Sequence, residues 1–181
     1  MKYLRTFSII CILGLLYSSC VKKENYSIIP AITYNSFIPF CSGSTTDSAY
    51  LRVNFTDGDG DIGYPQGDVS APKDFFVVPY IYVYSTKSFQ PITNTTNNTV
   101  DTVMFSYLIP NITPSGSDKE LNGIIQINLE DFIQEDISSL VTNPTFNSIA
   151  NVHELQFQVW IFDRAGHKSN VITTPVVYSC Q

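Results

Sequence analysis

Along most of this chain, apolar and polar residues change places every second position. In 154–162, Leu155, Phe157, Val159 and Ile161 alternate with Glu154, Gln156, Gln158 and Trp160. That is the period of a strand with one face on a core. Ile125, Ile127 and Leu129 alternate with Gln126 and Asn128 in the same way, and Leu51, Val53 and Phe55 with Arg52 and Asn54. Such runs, bounded by Gly, Pro, Asn and Asp, predict strands at 28–36, 50–55, 75–85, 102–109, 123–129, 154–162 and 170–178. The lone tryptophan, Trp160, falls opposite the aliphatic series of its strand. Two stretches break the pattern. Residues 90–100, with PITNTTNNT at their centre, are polar and aperiodic and read as a loop. Residues 130–140 carry Phe132, Ile133, Ile137 and Leu140 at helical spacing, which predicts a short helix near 131–140. About seven short strands with regular turn signals predict an all-β, immunoglobulin-like two-sheet β-sandwich; a jelly roll or an open barrel is the alternative.

The N-terminus follows another rule. In MKYLRTFSIICILGLLYSSC, Lys2 and Arg5 precede a short apolar run, 7–16, and then Ser18, Ser19 and Cys20. The run is too short to span a bilayer and reads as an export signal. Its Ser-Ser-Cys ending resembles the lipobox of bacterial lipoproteins, with Tyr17 where an aliphatic residue is usual. That resemblance implies acylation of Cys20 and a lipid anchor without a span. The expected organisation is signal peptide 1–19, tether 20–27 and one β-sandwich domain 28–181.

Charge then narrows the partners. Losing residues 1–19 leaves eight basic against sixteen acidic residues, so the net charge goes from −6 to −8. With no Lys/Arg cluster, the chain lacks the basic face that nucleic acid phosphates require. Cations, neutral glycans and other proteins remain. Cys11 leaves with the signal and Cys20 is the acylation site, so Cys41 and Cys180 remain as a pair in an exported protein. A disulfide is expected over two separate thiols. In the predicted sandwich the first and last strands run in parallel, which brings the ends of both, and hence Cys41 and Cys180, to one pole.

The concentrated chemistry lies in FTDGDGDIGYPQGD, residues 55–68. Asp57, Asp59 and Asp61 are close enough to repel unless a cation or raised pKa values relieve them. Calcium takes six to eight oxygens, which a curling Asp-x-Asp-x-Asp run can begin to supply, with Gly58, Gly60 and Gly63 permitting the curl. The spacing imitates an EF-hand, and Asp68 falls at its twelfth position. But Ile62 stands where the sixth-position Gly belongs, and strands flank the loop. In the predicted sandwich, Asp163 begins a turn at the same pole and is expected to join the site. Two alternatives need no metal: Asp-Gly pairs are good turn formers, and Arg164 or Lys168 can neutralise the loop. Transition metals are disfavoured because no Cys or His neighbours these acids in sequence.

The stretch FTDGDGDIG, followed late in the chain by FDRAGHKSN, resembles small lipoproteins of Bacteroidetes-type bacteria that carry an FTDGDGDIG motif. His167 stands where their late motif has Asn. The resemblance implies an immunoglobulin-like domain at the outer membrane and brings no activity with it. No nucleophile elbow, zinc-protease helix or phosphate-binding loop occurs, and His153 and His167 read as surface residues. The expected role is a non-enzymatic interaction or scaffold protein with a structural Ca²⁺. The alternative is a glycan-binding accessory module using Tyr80, Tyr82 and Tyr84, which share one strand face; their other reading is ordinary sheet packing.

Overall fold

The computed structural model describes residues 25–43, 45–68, 70–96, 99–115, 119–130 and 150–180. Two antiparallel sheets face each other across one core. In the first, β1 (Ala31–Ser42) pairs with β2 (Thr45–Asp57), and β2 with β8 (Leu121–Asn128). In the second, the order is β10 (Ile172–Thr173), β9 (Ala150–Ile161), β3 (Phe75–Val83) and β4 (Ser88–Pro91). Two short strands complete that sheet: β11 (Val177–Tyr178) on β9 and β7 (Phe105–Tyr107) on β3. This strand order is that of an immunoglobulin-like sandwich, as the sequence predicts.

The register explains the core. Val53 lies opposite Ile125 and Leu51 opposite Ile127 in the first sheet. In the second, Phe75 faces Ile161, Val77 faces Val159 and Ile81 faces Leu155. All of these are buried and form one cluster. The alternate positions point outward, so Phe76 meets Trp160 as stacked rings with centroids 5.6 Å apart. Lys168 places its Nζ 4.5 Å from the Trp160 ring centroid. Gly123 leaves room for Phe55, since a Cβ there would come within 3.1 Å of its ring.

Three departures from the sequence reading have physical causes. The described residues of 90–100 are not a simple loop: they enter β4 and the hairpin strands β5 (Thr93–Thr96) and β6 (Thr99–Thr102), paired from Thr93↔Thr102 to Thr96↔Thr99. Threonine favours extended backbone, and a two-stranded ribbon needs no hydrophobic alternation to pair. The strand expected at 102–109 is reduced to β7. The strand expected at 170–178 is split into β10 and β11 around Pro175, which cannot donate to the ladder. There, Ser169 and Thr174 replace strand carbonyls with hydroxyls, accepting from Ile161 N and Phe157 N at 3.0 Å each. The helix expected near 131–140 and the signal, with Cys20, lie outside the described residues.

The sandwich is tied at both poles. Cys41 and Cys180 are disulfide-bonded, their Cα atoms 5.8 Å apart. At the other end, Asn170 bonds the backbone of Ile32 twice, accepting from its N at 2.8 Å and donating to its O at 2.9 Å. The first strand and the last segment of the chain therefore run alongside each other in the same direction, linking the two sheets.

Candidate metal centre

Strand periodicity carries Asp57 inward. Leu51, Val53 and Phe55 occupy the core face of β2, and Asp57 is the next position on that face, 0% exposed. The chain then leaves the sheet through Gly58–Gly63. Gly60 and Gly63 have φ of 65° and 78°, the left-handed region that the curl requires. Any side chain at Gly60 would collide with Lys119 O, and at Gly63 with Pro110 O. Gly58 does not take a positive φ. It is needed because a Cβ there would strike the backbone of Tyr26 and Ser27, whose carbonyl accepts from Gly58 N at 2.8 Å.

Each outer aspartate of the group is fixed through one oxygen. Asp57 Oδ2 accepts from Asp61 N, and Asp61 Oδ2 from Ala165 N, both at 3.0 Å. The other oxygen, Oδ1, is buried and without a hydrogen-bond partner in Asp57 and Asp61, and so is Oδ1 of Asp59. One carboxylate oxygen from each of the three residues lies within 4.8 Å of the others. Two oxygens held at about 2.4 Å by one ion can be no more than about 4.8 Å apart, so this group can hold a metal ion.

The electrostatics follow from burial. Desolvation is the largest cause pushing Asp57 up to about 6, with Asp59, Asp61 and Asp163 adding repulsion. Burial, then Asp163 and Asp59, also raise Asp61. Neither nearby cation cancels this by direct pairing. Arg164 spends its guanidinium on Gly63 O at 2.6 Å, Thr113 Oγ1 at 2.7 Å, and Ile62 O and Asn111 Oδ1 at 3.3 Å each. Lys168 is the cation over Trp160.

Asp163 stands beside the three and is itself buried, but its oxygens have other partners. Oδ1 accepts from His167 N at 2.7 Å, and Oδ2 lies 2.8 Å from His167 Nδ1. It acts on the group as a neighbouring charge and as the brace of the 163–167 turn. Asp68 is exposed and caps its own turn through Ser70, clear of the group. His153 sits within β9, its Nδ1 3.1 Å from Ser179 Oγ.

Sequence reasoning missed several contributors. Thr113 Oγ1 donates to Gly60 O at 2.7 Å while accepting from Arg164, so it locks the loop to the guanidinium. Asp74, 1% exposed, accepts from Ile109 N at 2.7 Å and leaves Oδ2 buried without a hydrogen-bond partner. Burial pushes it up to about 6. Its signal in the sequence was slight: a single acid just before the apolar strand beginning at Phe75.

The three tyrosines lie on the outer side of the second sheet. Tyr80 and Tyr82 are half-buried and Tyr84 is 50% exposed. Tyr82 packs edge-on against Tyr84 and Phe89, centroids 5.9 and 5.5 Å away. No family model, curated protein or solved structure matches the chain.

Proposed function

We propose that this chain is an exported, lipid-anchored, non-enzymatic interaction or scaffold protein of the outer membrane, with Ca²⁺ as a structural ion in the acidic loop. The observation that carries the reading is that Asp57, Asp59 and Asp61 bring one carboxylate oxygen each within 4.8 Å of the others, and that each keeps a buried Oδ1 without a hydrogen-bond partner. An ion there would satisfy all three at once, and the hard oxygen donor set suits calcium over softer metals. Asp57, Asp59 and Asp61 would be its ligands, with Asp163 supplying further negative charge. The loop also binds segments 26–27, 109–113 and 164–165 by hydrogen bonds, so an ion would stiffen one pole as the disulfide stiffens the other. A catalytic role for the acids is disfavoured because their unpaired oxygens are buried. The anchor at Cys20 and the resemblance to Bacteroidetes-type lipoproteins support the membrane address.

Melting the protein in calcium and in EGTA tests the metal. A higher melting temperature in calcium is expected, and identical curves would remove the ion from the proposal. A second reading, glycan binding, rests on the outward position of Tyr80, Tyr82 and Tyr84. It requires Tyr82→Ala and Tyr84→Ala to abolish binding of neutral oligosaccharides without lowering stability.

A further inference from the structure

The segment entering the domain does not leave it as a free linker. Ser27 O accepts from Gly58 N, and Tyr26 Oη accepts from Asn122 Nδ2 at 3.0 Å. Ser27 Oγ accepts from Ile29 N at 3.0 Å, shaping the turn into β1. Residues 26–29 are thus laid across the acidic loop and the start of β8. In that position Ile28 and Ile29 are 55% and 50% exposed. Val171, 49% exposed, follows the Asn170 that is bonded to Ile32, and so adds apolar surface at the same end.

Chain length fixes what lies nearby. Five residues separate Cys20 from Tyr26, and at no more than about 3.5 Å each they keep the pole within roughly 20 Å of an anchor at Cys20. The strands carry the other pole much farther away: β2 alone, Thr45–Asp57, extends about 40 Å at about 3.3 Å per residue.

We infer that the acidic-loop pole faces the membrane, with Ile28 and Ile29 in contact with the lipid interface and the disulfide pole directed away. This orientation rests on the lipid anchor proposed above and is independent of the calcium ion. Because Tyr26 and Ser27 are hydrogen-bonded to the body of the domain, the chain leaves it from a fixed point within short reach of Cys20, and that holds the domain upright on its anchor.

The test uses the full acylated chain reconstituted into vesicles of phosphatidylethanolamine and phosphatidylglycerol that carry a headgroup nitroxide quencher. A fluorophore is placed at Ile28→Cys in one preparation. In another it is placed at Ser85→Cys, in the exposed turn after β3, which ends at the far pole opposite Ala150. Quenching severalfold stronger at position 28 than at 85 is expected. Equal quenching, or stronger quenching at 85, overturns the orientation while leaving the anchor intact. Failure of the folded chain to float with vesicles overturns both. Ile29→Cys repeats the measurement should the first variant fold poorly.

Discussion

Replacing Asp57 with asparagine separates a metal loop from an acidic turn, because the two accounts predict opposite signs. Asp57 is fully buried and its pKa stands at about 6 against an ordinary 3.8. An acid raised in the folded state favours its protonated form there. The contribution of Asp57 to metal-free stability is therefore greatest below about pH 3.8, is lost as pH rises to about 6, and is flat above. Two units correspond to at most about 3 kcal/mol at neutral pH, less what solvent screening removes. The substituted amide keeps an acceptor for Asp61 N, removes the charge, and offers a donor toward the orphaned oxygens of Asp59 and Asp61. In EGTA at pH 7, Asp57→Asn is expected to melt several degrees above wild type. In calcium the order changes. Wild type gains about 2.7 kcal/mol at a hundredfold excess over Kd, or about 5–10 °C for a domain of this size, while the variant gains little. Acidification from pH 7 to 5 raises the wild-type melting temperature in EGTA and erodes the calcium gain, since protons compete for the ligands. Differential scanning calorimetry in four buffers reads all of this. A variant less stable than wild type in EGTA, with wild type indifferent to calcium, would refute the reasoning and leave Asp57 as a turn-forming cap for Asp61 N.

Other contacts make separate claims. Asp74→Asn keeps the acceptor for Ile109 N and removes a buried charge, so urea denaturation should show it more stable than wild type at pH 8 and little different at pH 4. Asn170→Ala deletes both bonds to Ile32, and a loss of about 1–3 kcal/mol is expected by denaturant titration, with calcium affinity by calorimetry unchanged. Opening Cys41–Cys180 by Cys180→Ser releases a sequence separation of 139 residues, for which chain entropy predicts about 5 kcal/mol of destabilisation. Its melting curve should still respond to calcium, because the bridge sits at the opposite pole.

What the sequence revealed, and what it hid, follows from how each signal is encoded. A half-buried strand writes its burial into every second residue, so β9 and the centre of β2 were legible, and so was the sandwich that they build. Asp57 belongs to that same code. It continues the Leu51, Val53, Phe55 series, and counting by twos from Leu51 already places a carboxylate on the core face. The β5–β6 hairpin was illegible because pairing of backbone groups leaves no hydrophobic rhythm in NTTNNT. The division of the last strand was carried by Pro175, one residue whose missing N–H outweighs the apolar neighbours.

The site was legible in its acids and illegible in its supports. Three aspartates on alternate positions announce themselves, but no local pattern says that Arg164 serves carbonyls instead of carboxylates. That choice decides the chemistry. A guanidinium turned into the acidic group would have satisfied it as a buried ion pair network. Turned instead to Gly63 O and Thr113 Oγ1, it organises the loop backbone and leaves each of the three aspartates with a buried oxygen that has no hydrogen-bond partner. Asp163 is held in a related way. Its proximity in the sandwich was foreseeable, and its oxygens also serve His167, whose side chain is 39% exposed, in keeping with the surface position read from the sequence. The loop thus uses its arginine and its histidine to build geometry, and the charge they leave uncompensated is what a divalent cation would answer.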